Sequence, residues 1–143
     1  MELEWEDGCF VCGKGNAHGL QLEFRVDREA RSIETTWVPS QHHEGYRHIV
    51  HGGLVSTVLD EAMAKLSTCL DIPAVTAELT VRFLRPVPPE QPLRVVGRII
   101  EQRRRVLLAE AEALLADGSP AATAQAKLIP GKNPPATDST TKG

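Results

Sequence analysis

Residues 51–70 form the run HGGLVSTVLDEAMAKLSTCL, which carries the clearest structural signal in the chain. Apolar side chains recur there at spacings of three and four, and this period predicts a helix over 54–70. The apolar stripe consists of Val55, Val58, Leu59, Ala62 and Leu66. The opposite face is small or polar, so it suits a crevice or a contact with a second subunit. It consists of Ser56, Thr57, Asp60, Ala64 and Ser67.

The helix is preceded directly by His51-Gly52-Gly53. A helix start exposes unpaired backbone N–H groups and the positive end of the helix dipole. Two glycines let a ligand come close to the backbone, and a developing oxyanion is a charge that such a site stabilises. Asp60 follows two helical turns later on the small, polar face. The residues alone leave a second interpretation open, in which His51 and the glycines serve packing and Asp60 is a solvated helix charge.

Alternating apolar and polar residues predict strands on both sides of this helix. They cover residues 20–26, 32–38, 76–84, 93–100 and 122–129. The segment 103–116 is ambiguous, because its Ala, Leu and Glu content favours a helix while its apolar residues also alternate. By itself it is interpreted as a helix. Residues 1–19 are predicted to be a leader loop, 20–130 the folded domain and 131–143 a disordered tail.

The composition bounds the class of protein. A chain of 143 residues with 41% hydrophobic and 24% charged residues is the size of one folded domain. The net charge of -3 argues against nucleic acid as a partner. No apolar run is long enough to predict a membrane span. The acidic first residues predict no export signal and a cytoplasmic location, and three cysteines predict no disulfide framework.

Three stretches together resemble the hotdog-fold acyl-CoA thioesterases, in the phenylacetyl-CoA (PaaI-like) branch. They are EGYRHIVHGGLVSTVLDEAM at 44–63, TAELTVRFLRPV at 76–87, and CFVCG at 9–13 followed by Gly19-Leu20. The resemblance covers roughly residues 9 to 130. It implies an α+β fold in which a curved antiparallel sheet wraps around one long central helix. It also changes the prediction for 103–116 from helix to strand, against its propensity.

The resemblance implies an acyl-CoA substrate, no metal or redox cofactor, and a homodimer or homotetramer with each site between two subunits. The backbone N–H of Gly52 would polarise the thioester carbonyl. Asp60, from the other subunit, would act as nucleophile or general base. Thr76 would help to place the water or the carboxylate, while Gly53 and His51 would shape the turn beside the substrate.

One departure from the family concerns position 45. Several members carry Asn or Gln about six residues before the motif histidine, where this chain has Gly45. Either Glu44, His42 or His43 compensates, or the oxyanion site depends on the backbone alone.

Coenzyme A carries phosphates, for which a cluster of guanidinium groups is suited. The group Arg103, Arg104 and Arg105 is the candidate for holding them.

The pair Cys9 and Cys12 has metal-ligand spacing, with His18 as a third candidate ligand. A structural zinc site has four ligands, and no fourth stands at a standard spacing, so no metal is predicted.

Two other functions stay open. A hydroxyacyl thioester dehydratase of the same fold would pair His42 or His43 with Asp60. A non-catalytic acyl-CoA-binding module would explain the missing polar residue at position 45, although it has no need of an acid near the thioester.

Overall fold

The computed structural model of the chain describes residues 1–132. One long helix, α1 (Gly52–Cys69), lies against a six-stranded antiparallel sheet. The strands are β1 (Arg25–Asp27), β2 (Ser32–Trp37), β3 (Ala74–Phe83), β4 (Leu93–Gln102), β5 (Leu107–Leu114) and β6 (Pro120–Pro130). Their order is β1-β2-β4-β5-β6-β3, and irregularities in β3, β4 and β5 help the sheet to curve around the helix. This is the α+β hotdog architecture that the resemblance implies.

The apolar stripe of α1 forms the centre of the core, as its spacing predicts. All five stripe residues are exposed by 1% or less. The sheet meets them with small side chains, which we call the alanine floor. It consists of Ala109, Ala111, Ala113, Ala122, Ala124 and Ala126. Gly97 on β4 packs without a side chain, because a Cβ there would lie 3.2 Å from Ile33 on β2 and 3.5 Å from Ala62 on α1.

The segment 103–116 is not a helix, so the interpretation by propensity is wrong and the strand implied by the resemblance is confirmed. Residues Leu107–Leu114 form β5, paired with β4 on one side and with β6 on the other. Its alternate residues, beginning at Leu107, are buried beneath α1. Alanine favours a helix in isolation, but here it is the residue that is small enough for α1 to pack closely.

The first predicted strand is shorter than its alternation suggests, since only Arg25–Asp27 pairs with β2. The N–H groups of Leu20 and Leu22 donate instead to the carbonyls of Phe10 and Val11, at 2.8 Å each. Gln21 between them has a φ of 53°, which is incompatible with an extended strand. The half-strand 20–24 therefore joins the N-terminal leader rather than the sheet.

The leader, residues 1–19, consists of turns and loops around an isolated bridge at Glu2. Glu2 pairs with Lys132, and the N–H of Gly131 donates to the carbonyl of Pro73, so the first two residues of the predicted tail are held against the domain. The rest of that predicted disordered tail, 133–143, lies outside the described residues. Nowhere in residues 1–132 does a helix combine the length and apolar character that crossing a bilayer requires.

Strand β3 is an edge of the sheet, paired with β6 on one side and with no described residue on the other. Three of its apolar side chains are exposed in the single chain: Val75 by 38%, Leu79 by 36% and Phe83 by 53%. Long, apolar, unpaired edges are sites where another strand adds.

The close approach at Gly97 gives the first prediction. Valine is favoured in strands over glycine, so propensity alone predicts that Gly97→Val stabilises the protein. We expect the reverse, a loss of about 1–3 kcal/mol of unfolding free energy, because the added atoms meet Ile33 and Ala62. Urea denaturation measures the change. Thr36→Val, on the exposed side of β2, is the control and should stay within about 0.5 kcal/mol of the parent. A Gly97→Val protein as stable as the parent would contradict the packing described.

Candidate active site

The start of α1 is built by His51, which is its N-cap residue. The N–H of Gly53 donates to His51 Nδ1 at 2.9 Å, and the N–H of His51 donates to the carbonyl of His43 at 2.8 Å. A Cβ at Gly53 would lie 3.1 Å from Nδ1, so a side chain there would crowd the capping ring. The imidazole thus satisfies one of the free donors of the helix start, and Gly53 leaves room for it.

Gly52, by contrast, keeps its N–H free. It is the first residue of α1, and no atom of residues 1–132 accepts a hydrogen bond from this N–H. The ring of Phe83 lies beside it, 3.4 Å from where a Cβ would stand. A free N–H at the positive end of a helix, next to an apolar wall, is suited to bind a carbonyl oxygen.

The carboxylate of Asp60 is held by Thr76. Thr76 Oγ1 donates to Asp60 Oδ1 at 2.6 Å, and both residues are half-buried. Thr76 stands at the irregularity of β3, where the pairing with β6 shifts between Thr76 and Glu78. The short bond leaves the second carboxylate oxygen for other partners and fixes its direction.

Gly52 and Asp60 lie far apart within one chain. Eight residues of α-helix rise about 12 Å. A donor on a carbonyl oxygen and a group attacking the same carbon must stand within about 7 Å of each other. One chain therefore does not bring both groups to one thioester.

The loop before the helix forms a small closed turn. Glu44 bridges Val50, and the N–H of Gly45 donates to the carbonyl of Ile49 at 2.9 Å. The Glu44 side chain is half-buried and makes no hydrogen bond or ion pair within residues 1–132. A Cβ at Gly45 would lie 3.3 Å from the His51 ring. The structure thus places Glu44 near the helix start and packs Gly45 against the cap.

The two histidines considered as partners for Asp60 do not reach it in the single chain. His43 Nδ1 accepts from the N–H of Ser40 at 2.9 Å, and its ring packs edge-on against Trp37. His42 is exposed. Asp60 itself accepts from Thr76 and from no histidine of the described part of the chain.

The three arginines lie in the turn between β4 and β5. The N–H of Arg103 donates to the carbonyl of Val106, and its guanidinium pairs with Glu101 at 2.7 Å. Arg104 and Arg105 are exposed and contact no carboxylate among residues 1–132.

The pairing of the strands places this turn relative to Thr76. The adjacent Leu107 pairs with Leu128, which pairs with Thr76. The turn thus lies at the same end of the sheet as Thr76. Two strand spacings separate Leu107 from Thr76, which is a distance of about 10 Å.

A contact that the sequence did not reveal joins the leader to α1. The thiol of Cys9 donates to Glu61 Oε2 at 3.4 Å, and Lys65 Nζ donates to Cys12 Sγ at 3.3 Å. Burial first, and then the neighbouring Glu61 carboxylate, raise the pKa of the Cys12 thiol to about 12. Cys12 is therefore protonated at neutral pH and is a poor nucleophile. Glu61 and Lys65 stand four residues apart on one helix face, a spacing that could have indicated a docking site for the leader.

A groove of about 390 Å³ lies elsewhere, on the sheet face turned away from α1. Arg98 and Glu110 line it and form an ion pair with each other. The groove contains neither Asp60 nor Gly52, so its size does not make it the reactive centre.

Comparisons with known proteins agree with this fold. The family model described as the thioesterase superfamily matches residues 48–122. A solved thioesterase superfamily protein aligns with a TM-score of 0.80 at 22% identity, over 86% of this chain; the chain spans 60% of that protein. A phenylacetic acid degradation-related protein from Ralstonia eutropha JMP134 is 31% identical, with a TM-score of 0.70 and coverage of 77% of this chain and 85% of that one. No protein of curated function matches the sequence.

A hypothetical thioesterase from Streptococcus pneumoniae TIGR4, solved with coenzyme A, has a TM-score of 0.73 at 17% identity, covering 78% of this chain and 87% of that one. It has also been solved with alanine in place of an aspartate and, separately, of a threonine sixteen positions further along. The family model spans more than half of the present chain, and the fold agrees with it. The chain therefore belongs to the thioesterase superfamily, a family of thioester hydrolases, and has the hotdog fold.

Proposed function

We propose that the protein hydrolyses an acyl-CoA thioester to a carboxylic acid and free coenzyme A. The observation that carries the proposal is that Thr76 orients the carboxylate of Asp60 on α1. The first N–H of the same helix, at Gly52, is free. A positioned carboxylate and a positioned backbone donor are the two groups that acyl transfer to water requires.

The streptococcal relative supports the choice of residues and of thiol. It has been solved with coenzyme A, and its two alanine variants remove an aspartate and a threonine sixteen positions apart. Asp60 and Thr76 are also sixteen positions apart. The family accounts for the thioester, and this relative points to coenzyme A as its thiol.

The proposed reaction divides its work between the two groups. The N–H of Gly52 donates to the thioester oxygen as negative charge develops there. Asp60 either attacks the carbonyl carbon, giving an anhydride that water opens, or takes a proton from the attacking water. In both routes the C–S bond breaks, coenzyme A leaves as thiolate and takes up a proton, and one water molecule is consumed. In the general-base route that water adds to the acyl carbon, and in the nucleophilic route it opens the anhydride and restores the carboxylate of Asp60. The chemistry needs no metal or redox cofactor, and we propose that none takes part.

We propose that each site is shared by two copies of the chain, because Gly52 and Asp60 of one chain are too far apart. Asp60 lies near the Thr76 end of β3, and Gly52 lies beside Phe83 at the other end. If two copies pair their exposed β3 edges antiparallel, the Thr76 end of one strand meets the Phe83 end of the other. Asp60 of one protomer then faces the partner's Gly52. The homodimer is the minimal assembly, and a homotetramer would contain two such pairs.

The substrate is held on both sides of the thioester. Arg104 and Arg105, free of carboxylate partners in the described chain, are proposed to bind the phosphates of coenzyme A together with Arg103. Glu44, Gly53 and His51 line the helix start beside the thioester. The acyl group is aryl or medium-chain aliphatic, as in the branch that the sequence resembles. We place the reaction in the cytoplasm, where the three cysteines stay free thiols.

Replacing Asp60 tests the reactive group. Asp60→Asn keeps the size and the bond from Thr76 but removes the charge and the basicity, so we expect kcat to fall by about 10²-fold or more. KM should change little, because coenzyme A and the acyl group are held elsewhere. Thr76→Ala removes the orienting hydroxyl and should cost less. Steady-state thiol release over a panel of acyl-CoA esters measures these effects.

Asp71→Asn, an exposed aspartate just after the same helix, is the matched control and should retain the parent rate. A folded Asp60→Asn protein with most of its turnover would contradict the assignment. If that panel shows binding but no thiol release by the parent protein, the chain is an acyl-CoA-binding module. Hydration of an enoyl thioester without thiol release would instead show the dehydratase.

Replacing Gly52 tests the donor and the shared site together. Gly52→Pro deletes the N–H at a helix position where proline is favoured, so the fold should persist while kcat falls by about 10²–10³-fold. Gly52→Ala keeps the N–H, and its Cβ meets Phe83 at an ordinary contact distance. We expect a smaller loss of kcat than in Gly52→Pro, and that loss measures crowding alone. When Gly52→Pro and Asp60→Asn proteins are unfolded together and refolded as a mixture, about a quarter of the parent activity should return. Half of the dimers then carry one intact site.

Refolding each variant alone supplies the baseline for the mixture. No recovery in a mixture that light scattering shows to be dimeric would exclude the shared site. A fully active monomer would exclude it as well.

A further inference from the structure

The leader touches α1 through a compact set of possible metal ligands. Cys9 Sγ, Cys12 Sγ and a carboxylate oxygen of Glu61 all lie within 4.8 Å of one another. Cys12 is buried, while Cys9 and Glu61 are half-buried. The fold therefore supplies a ligand, forty-nine residues after Cys12, that no local spacing in the sequence predicts.

We infer that Cys9, Cys12 and Glu61 bind a zinc ion that fastens the leader to the central helix. Two thiolates and one carboxylate are a ligand set that zinc accepts, and thiolates select it over magnesium or calcium. Tetrahedral zinc would set its sulfur and oxygen ligands about 3.6 Å apart. Cys9 Sγ and Glu61 Oε2 are already 3.4 Å apart.

The required movement is small. Two sulfurs on tetrahedral zinc stand about 3.8 Å apart. Because all three ligand atoms lie within 4.8 Å of one another, the cluster needs to close by no more than about 1 Å. That adjustment is within the reach of side-chain torsions.

The turn that carries the two cysteines is already shaped to receive a cation. The N–H of Val11 points at Cys9 Sγ at 3.4 Å, a bond that stabilises the sulfur as a thiolate. The N–H of Gly13 donates to the carbonyl of Cys9 at 2.9 Å and so closes the turn. A Cβ at Gly13 would lie 2.5 Å from the nitrogen of Cys9, so only glycine fits after Cys12.

The charges around the cluster balance those of the complex. Zinc with two thiolates and one carboxylate carries a net charge of minus one. Lys65 Nζ, 3.3 Å from Cys12 Sγ, supplies the compensating positive charge and donates to the bound sulfur. It lies 5.8 Å from the centre of the Trp5 ring, so the leader also covers this ammonium group.

The cluster has an entry path from solvent. A shallow cleft of about 400 Å³ opens beside Cys9 and is lined by Glu4, Trp5, Glu6 and Gly8. Water from this cleft completes the four ligands. The side chain of Glu61 points about 100° around α1 from Asp60, so the zinc ion serves attachment of the leader and takes no part in thioester hydrolysis.

The test uses the full chain, kept reduced with a phosphine and freed of metal by dialysis. Titration with zinc alone, read by elemental analysis after gel filtration, should give one ion per chain. Cobalt in its place should give the sulfur-to-cobalt charge-transfer band of thiolate ligation. Zinc at 100-fold its dissociation constant should raise the melting temperature by about 5–10 °C.

Single variants assign the ligands. Cys9→Ser, Cys12→Ser and Glu61→Gln should each weaken zinc binding at least tenfold, and the two serine variants should lose most of the cobalt band. Cys69→Ser, a thiol outside the cluster, is the matched control and should bind like the parent. Because metal content and spectrum are read without substrate, the result does not depend on hydrolysis.

Three outcomes would overturn the inference. One is substoichiometric zinc in the parent chain, which leaves the Cys9–Glu61 contact as a simple S–H···O bond. Another is zinc binding that survives Glu61→Gln unchanged, since a thiol pair or a surface site would then hold the ion. The third is a loss of zinc affinity in Cys69→Ser that equals the loss in the cluster variants.

Discussion

The burial of one helix against small side chains is the constraint on which the rest of the structure depends. Val58, Leu59, Ala62, Met63 and Leu66 are fully buried, and each large side chain among them contributes about 1.5–3 kcal/mol by leaving water. That contribution requires a short distance between helix and sheet. The alanine floor and Gly97 provide it, and they leave the core with little freedom to accept larger residues.

Because the helix is held rigidly, the distance between the groups at its two positions is fixed within one chain. Its first turn presents a free N–H at Gly52, and its third presents the carboxylate of Asp60, and neither can move toward the other without breaking the core. In the proposed dimer, this separation is overcome because two copies meet across β3 and each supplies one of the two groups. In that proposal the exposed apolar residues of β3, above all Phe83 beside Gly52, form both the contact between subunits and the wall of the site.

The sequence predicted the elements whose periodicity and propensity agree, and the helix stripe is the clearest case. It did not predict β5 by propensity, because alanines that favour a helix in isolation are selected here for their size beneath α1. The strand predicted from Leu20 begins only at Arg25, because the backbone of its first half hydrogen-bonds to the leader. No local sequence pattern reveals that contact.

The same division holds for the candidate site. Asp60 and Gly52 stand out by position on the helix, and Thr76 came from the family resemblance. The contact between Thr76 and Asp60 depends on how β3 meets α1. The approach of Glu61 to Cys9 depends on how the leader folds back, and both are tertiary facts that spacing along the chain does not carry.

Gly45 shows how closely the loop and the helix start depend on each other. Position 45, where the family resemblance implies Asn or Gln, has no side chain in this protein, and a Cβ there would lie 3.3 Å from the ring of His51. That ring cannot easily yield, because its Nδ1 caps α1 through the N–H of Gly53.

His43, whose Nδ1 accepts from the N–H of Ser40, is not free to replace the amide. In the proposed reaction, the N–H of Gly52 and the dipole of α1 are the groups that stabilise the oxyanion. A positioned donor is worth about 2.7–4 kcal/mol in a transition state, against about 0.3–1 kcal/mol for an exposed helix end, so the single N–H dominates.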